Sequence, residues 1–417
     1  MKARLAELSA GLDELGCKAL LVFAPSAQDT DLAPFLAGPV HDPPHIGECL
    51  LVLPRGEEPR LAYLTTMERE EAAATGLALL TPEDLDVSRW SSELPEPSHF
   101  LARVAARALD RCGLTPGRVA LAGHGPAGVI QGACSALSSM GWIWVPGNAL
   151  VYAARKRKQP AEVAGIREAA EATGAALRAV ARLLAAAVQD SANGRELWLE
   201  GERLRVGRLR SEVARVFAGL GLEQPRGNII APAEEGAIPH SSGTEDRVIR
   251  AGESLVVDVF PRGRLFADCT RTFCVPVSGQ SPPEALARAH ALVQSALETA
   301  ALRAAPGVRG WDIQEAVCDR FGAEGFPTPI SEPGTTRGYV HNLGHGVGFD
   351  LHELPTFKKA SGAEGVLREG DVFTLEPGLY DPSGGWGVRL EDLLHLAPGG
   401  GLESLTPLPY EMDPRAW

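Results

Sequence analysis

The chain has 417 residues, 45% hydrophobic and 22% charged, an ordinary globular composition with apolar material enough for two domains. Its net charge of −13 leaves no basic footprint for phosphate, which excludes nucleic acid as an expected partner and suits a dispersed cytoplasmic protein. The opening MKARLAELSAGLDELG lacks the apolar core of a signal peptide, and no apolar run reaches the roughly 18 residues of a membrane span, so no membrane is expected.

In chain order, residues 1–155 read as an α/β unit. A helix over Arg4–Leu15 ends at Gly16, and the apolar run Ala19–Ala24 follows as a buried strand. The runs Cys49–Leu53 and Val119–Ala122 alternate with a helical stretch around Leu101–Cys112, the rhythm of a mostly parallel or mixed sheet. His41, His45, His99 and His124 stand alone or in loop-like settings and read as structural or merely exposed. The polar stretch Arg155–Pro160 reads as a boundary. Beyond it, helices are expected over Ala161–Val188, Leu209–Leu220, Glu284–Arg303 and Trp311–Phe321. Strand-like pieces interrupt them from Asn228 onward, which gives an α+β second domain. The seven cysteines, Cys17, Cys49, Cys112, Cys134, Cys269, Cys274 and Cys318, are scattered without CxxC spacing and read as reduced thiols. Cys269, next to Asp268, reads as a small buried filler facing away from it.

Four segments of the second half carry chemistry. The first is the probable hairpin LVVDVF-PRGR-LFADCTRTF, with Asp258 and Asp268 each in an apolar strand, where a carboxylate is costly unless a cation meets it. A three-residue loop at Arg262–Arg264 would pair Asp258 directly with Asp268, both facing one way. The second is HNLGHGVGFDLHE, which holds His341, His345 and His352 in a run too rich in glycine for a helix. The third is FTLEPG, with Glu376 at a strand end before a Pro-Gly turn. The fourth is GVRLEDLLH, where alternation puts Arg389 and Glu391 on one face. Oxygen-rich ligation with one imidazole favours manganese, cobalt, iron or zinc, and four carboxylates balance two divalent ions better than one. Arg389 is placed to hold a neighbouring acid or a substrate carboxylate.

The order Asp258, Asp268, His345, Glu376, Glu391 resembles the pita-bread-fold metallopeptidases, and GHGVGFDLHE, TLEPGLY and GVRLED are specific to them. The resemblance covers residues 159–417. Residues 1–155 are similar to the creatinase-type N-terminal domain of the proline-directed branch, the Xaa-Pro dipeptidases (prolidases) and aminopeptidase P. It implies two divalent metal ions, manganese first, with Asp258 on one, Asp268 and Glu391 bridging, and His345 and Glu376 completing the other. It implies substrate-facing roles for His240, His341 and His352, an arginine beside the metals at Arg389, and a homodimer. Glu376 is then the expected general base, with His341 or His352 steadying the oxyanion. The expected substrates are small peptides with proline, dipeptides first and longer Xaa-Pro peptides as the alternative. A non-catalytic binding module or a metal-free creatinase-like hydrolase on the same fold are the readings from other classes. Two features depart from the family: the Asp258–Asp268 spacing is one residue shorter, and Glu332–Tyr339 is unfamiliar and would reshape the substrate pocket.

Overall fold

In the computed structural model the chain divides into two compact units, Met1–Arg155 and Lys156–Trp417. The structure describes residues 1–36, 45–190, 194–278 and 280–417; His41 lies outside them.

The first unit is built on β1 (Ala19–Ala24), whose six residues ALLVFA are all buried. A strand buried on both faces needs no polar alternation, and it is covered on both. Around it the chain runs α1 (Lys2–Glu14), β2 (Cys49–Pro54), β3 (Arg60–Tyr63), α2 (Arg69–Ala74), β4 (Ala78–Leu80), α3 (Val87–Glu93), α4 (Pro97–Arg111), β5 (Arg118–Gly123), α5 (Ala127–Ser138), β6 (Ile143–Pro146) and α6 (Asn148–Lys156). The sheet order is β4-β3-β2-β1-β5-β6. β1 pairs antiparallel with β2 and parallel with β5, so the sheet is mixed. Leu20 and Val22 pack with Leu8 and Leu12 of α1 on one face, while Leu21 and Phe23 meet Leu101, Val104 and Leu109 of α4 on the other. His45 and His99 are exposed. His124 bonds Asp29 at 2.8 Å, beside the buried Asp31, which Arg155 neutralises at 3.1 Å.

The second unit opens with α7 (Pro160–Ala186), started by Pro160 at its first position and a capping box between Gln159 and Glu162. A ribbon β7 (Val188–Gln189), β8 (Leu197–Leu199), β9 (Glu202–Arg203) leads to α8 (Val206–Gly219). Then come β10 (Asn228–Pro232), α9 (Ala233–Gly236), β11 (Leu255–Val259), β12 (Cys269–Phe273), α10 (Glu284–Arg303) and α11 (Gly310–Ala323). The remaining strands are β13 (His345–Gly346), β14 (Glu353–Thr356), β15 (Val372–Leu375), β16 (Gly378–Asp381), β17 (Trp386–Arg389), β18 (Asp392–Leu396) and β19 (Leu402–Ser404). β10-β11-β12 form one antiparallel sheet and β14-β13-β15-β18-β19 another, with β16-β17 a two-stranded ribbon. α7 and α8 pack on the first sheet through Leu177, Val180, Leu209 and Val213; α10 and α11 pack on the second through Val293, Leu297, Val317 and Phe321.

The hairpin differs from the expectation in one respect. Val259 pairs with Cys269 and Asp258 with Thr270, so Asp258 does not lie opposite Asp268. The turn tightens one residue further along, where Arg262 bridges Phe266 around Gly263, Arg264 and Leu265. The shift moves the partner of Asp258 by two residues, and a shift of two preserves the face on which each side chain points. Asp258 and Asp268 are therefore diagonal neighbours on one face.

Candidate metal centre

Five elements deliver the acids and histidines of the second half to one place. Asp258 comes from β11, Asp268 from the residue before β12, and His345 from β13; Glu376 follows β15, and Glu391 joins β17 to β18. The glycines around His345 exist for close approach. A Cβ on Gly344 would stand 2.0 Å from the Thr374 carbonyl oxygen, and one on Gly346 equally close to that of Leu354, so β13 can nest between β14 and β15 only without side chains there. Glu376 is set by its own N–H, which donates to the Leu343 carbonyl at 2.7 Å. Leu343 is held in turn by the buried Gln314 of α11, which accepts its N–H and, at 3.1 Å, the Tyr339 hydroxyl.

One ligand atom each from Asp268, His345 and Glu391 lies within 4.8 Å of the others. His345 Nδ1 faces the Gly346 carbonyl at 3.2 Å, and a carbonyl only accepts, so Nδ1 carries the proton and Nε2 presents a lone pair. That lone pair looks at Glu376 Oε1 3.5 Å away and Asp268 Oδ2 3.7 Å away. Burial pushes the His345 pKa down to about 3, so the ring is neutral at ordinary pH and cannot itself be the cation between these oxygens. Separations of this size suit ligand atoms that each stand about 2.0–2.2 Å from a shared ion.

The electrostatics point the same way. Asp258 Oδ1, Asp268 Oδ1 and Glu391 Oε1 are buried and have no hydrogen-bond partner. Burial and then the neighbouring carboxylates hold Asp268 and Glu376 well above the usual acid range and push Glu391 up to about 8. Four crowded carboxyl groups with orphaned oxygens, one neutral imidazole and no thiolate are a donor set for hard or borderline divalent ions, and the residues fit such a pair.

Arg389 reaches into this cluster with its guanidinium, and it is not free for a ligand. Its Nη2 donates to Asp258 Oδ2 at 2.7 Å, Nε to Thr270 Oγ1 at 3.1 Å, and Nη1 to the Tyr380 hydroxyl at 3.0 Å. Thr270 passes the contact on by donating to Glu391 Oε2 at 2.7 Å. Tyr380 closes the TLEPGLY run, whereas Thr270 and Gln314 carry no charge and no motif spacing; only the register opposite Asp258 singles out Thr270. Cys269 faces away, with its Sγ on the Glu391 carbonyl at 3.1 Å and its thiol pushed up to about 12 by burial.

The three further histidines ring this cluster. His341 donates from Nδ1 to the Asn342 carbonyl at 2.8 Å and meets the Tyr380 hydroxyl through Nε2 at 2.9 Å, so both nitrogens are engaged. His352 stands edge-on to His345, ring centroids 4.3 Å apart. Burial disfavours the charged forms of His341 and His352, and the exposed His240 adds to this in smaller measure.

Residues 164–398 match the metallopeptidase family M24. The chain belongs to this family. It is 33% identical over 220 residues to the Xaa-Pro dipeptidase of Pyrococcus furiosus, covering 51% of this chain and 57% of that one. It is 30% identical over 205 residues to the probable dipeptidase PepE of Mycobacterium tuberculosis, 48% of this chain and 50% of that one. The chain thus spans about half the length of these M24 relatives in the matched region. In fold the likeness extends over both units. The prolidase from Pyrococcus horikoshii OT3 superposes with a TM-score of 0.73 at 21% identity, covering 98% of this chain and 99% of that one. The X-Pro aminopeptidase from Thermotoga maritima does so with a TM-score of 0.69 at 19% identity, covering 98% of each. The architecture is the expected one, an α/β unit followed by an α+β pita-bread unit.

Proposed function

We propose that this M24 member is a dinuclear-metal exopeptidase that hydrolyses Xaa-Pro bonds, dipeptides first. The observation that carries the reading is the convergence of Asp258, Asp268, His345, Glu376 and Glu391, with three orphaned carboxylate oxygens that the guanidinium of Arg389 leaves unmet. Residues 159–417 are the catalytic domain in this reading and residues 1–155 its creatinase-like companion. Asp258, His345 and Glu376 would hold the two ions, with Asp268 and Glu391 shared between them. Bound there, the pair supplies a Lewis acid for the scissile carbonyl and an acidified water at neutral pH.

The chain's own groups do the rest. Glu376 takes the proton from the attacking water and passes it to the proline nitrogen as the C–N bond breaks. His352 steadies the developing oxyanion, since both nitrogens of His341 are already engaged by Asn342 and Tyr380. His240 and His341 line the substrate side. Arg389 orients Asp258 and Thr270 and holds the negative charge of the cluster in place. Manganese is the favoured metal, the cytoplasm the favoured compartment and a homodimer the favoured assembly. The complete ligand set removes support from the non-catalytic and metal-free readings.

One observation favours a second reading. A dipeptidase needs a cation for the product-side carboxylate, and Arg389 is spent on Asp258. This supports aminopeptidase action on longer Xaa-Pro peptides, whose carboxylate lies further out. Release of amino acid from Gly-Pro, Ala-Pro and a longer Xaa-Pro peptide, with Mn²⁺ and with a chelator, tests both. Metal-dependent cleavage of the dipeptides supports the main reading, cleavage of the longer peptide alone the second, and no metal-dependent release from any of them sinks both. Glu376→Gln, with metals bound, is expected to lower kcat about 10²–10⁴-fold.

A further inference from the structure

The buried face of α11 carries one side chain whose chemistry does not suit a core. Ile313, Val317 and Phe321 pack inward there, and Gln314 lies among them at 1% exposure. A primary amide taken out of water is costly unless its donors and its acceptor are met. Here all four of its hydrogen-bonding positions are used. Oε1 accepts the Leu343 N–H and, at 3.1 Å, the Tyr339 hydroxyl. Nε2 donates to the His341 carbonyl at 3.3 Å and to Cys318 Sγ at 3.6 Å. An N–H only donates and a carbonyl only accepts, so Leu343 and His341 fix which end of the amide faces which.

Three of those four contacts fall on Tyr339, His341 and Leu343, alternate residues of one strap. The strap is held from its other side as well. Gly338 exchanges both backbone bonds with Tyr380, at 2.7 and 3.0 Å, and the Leu343 carbonyl accepts the Glu376 N–H at 2.7 Å. The Tyr339 ring stands edge-on to His341, with centroids 5.3 Å apart. Beyond Leu343 there is no slack, because Gly344 lies so close to the Thr374 carbonyl that a Cβ would not fit. A close-packed strap gripped on both sides passes a displacement on to Glu376 and His341 instead of absorbing it.

We propose that Gln314 is a positioning residue for the reaction: one amide on α11 sets the aim of both Glu376, the proton carrier, and His341 on the substrate side. Its own four contacts include none of the five clustered residues, so it acts through the strap alone. The roles of Glu376 and His341 rest on the exopeptidase reading above; the grip on the strap does not. A reacting group misplaced by about 1 Å costs about 10²-fold in rate, which is what loss of this grip puts at stake.

Gln314→Met keeps the length of the side chain and removes its polar atoms. In the full chain with Mn²⁺, kcat on an Xaa-Pro peptide that the wild type cleaves should fall about 10–100-fold, with KM changed far less. Gln314→Asn, which keeps the amide but draws it back by one methylene, is the milder variant and should lower kcat in the same direction. Gln314→Glu, whose neutral carboxyl reproduces the acceptor and one donor, should recover most of the loss. Val317→Ala, a cavity on the same helix face, should lower the melting temperature and leave kcat as it is. Wild-type kcat in Gln314→Met or Gln314→Asn, or no rescue by Gln314→Glu, overturns the proposal. Amide hydrogen exchange of the metal-free protein is a second reading that needs no turnover. The Leu343 and Glu376 N–H groups should exchange about 10-fold faster or more in Gln314→Met and Gln314→Asn, while those of β1 and β2 stay unchanged. Unchanged exchange at Leu343 and Glu376 overturns the proposal whatever the peptide assay gives. A wild type that cleaves no Xaa-Pro peptide sinks the exopeptidase reading instead, and exchange alone then decides whether Gln314 holds the strap.

Discussion

Arg389 shows how far a single side chain can be committed by its neighbours. Its guanidinium serves Asp258, Thr270, Tyr380 and the Pro239 carbonyl, and its own exposure is only 3%. Replacing it by Met leaves Asp258 without its counter-charge and frees Thr270 from its orientation. We expect a 10–100-fold loss of Mn²⁺ affinity by isothermal titration calorimetry, the usual cost of removing an outer partner from a ligand. The five clustered residues were legible because a carboxylate or a histidine inside apolar, glycine-punctuated strands needs a reason to be there. The partner of Arg389 was not legible, because alternation gives a face but does not say which acid lies across it. Thr270 and Gln314 were invisible for a related reason: a neutral hydroxyl or amide in a buried strand or helix costs little once it is bonded, so nothing in the chain marks it out.

His290 makes a separate prediction at this scale. It is buried on α10, and burial pushes its pKa down to about 4 from an ordinary value near 6.5. The folded state thus disfavours the protonated ring. Above about pH 6.5 neither state carries the proton and His290 costs nothing. As pH falls toward 4 the unfolded chain binds the proton first, and stability is lost, up to about 3 kcal/mol. His290→Leu should flatten the pH dependence of urea unfolding between pH 6.5 and 4, and an unchanged slope would contradict the assignment.

At the scale of elements, the loop between β13 and β14, which carries His352, is pinned from beneath. Lys158 and Glu353 form an ion pair with both side chains fully buried, and Glu353 Oε2 accepts the Asp350 N–H at 3.2 Å. Lys158→Met strands a buried carboxylate one residue from His352. A loss of about 3–5 kcal/mol in denaturant unfolding is expected. Most helices and the buried strands of the first unit could be read from periodicity and caps to within a few residues; Ala19–Ala24 and Glu284–Arg303 are found where the pattern put them. The hairpin register could not, since pairing Asp258 with Asp268 or with Thr270 satisfies the same alternation. The ladder was decided by where the turn closes, at Gly263–Leu265, and that is a matter of turn geometry that spacing alone leaves open.

For the whole molecule, the concentration of unsatisfied negative charge in one unit predicts a local response to metal. Mn²⁺ at 100 times its dissociation constant should stabilise the folded state by about 2.7 kcal/mol. Hydrogen exchange should slow in β11, β12 and β15 on adding Mn²⁺ and stay unchanged in β1 and β2. Uniform protection of both units, or none, would count against a metal pair at these five residues.

The turn at Gly263–Leu265 has a consequence for how such a chain can be altered. The ladder from Leu255 to Val259 is set against Cys269 to Phe273, which fixes Asp258, and the Ala267 and Phe266 N–H groups, bonded to the Pro261 and Gly348 carbonyls, fix the approach to Asp268, so only the few residues between Pro261 and Phe266 can be lengthened without re-aiming either aspartate. Gly263 is exposed at its tip. That makes the tip a natural graft point, where a fluorophore or an affinity peptide could be spliced in beside the clustered acids while the acids themselves stay in place.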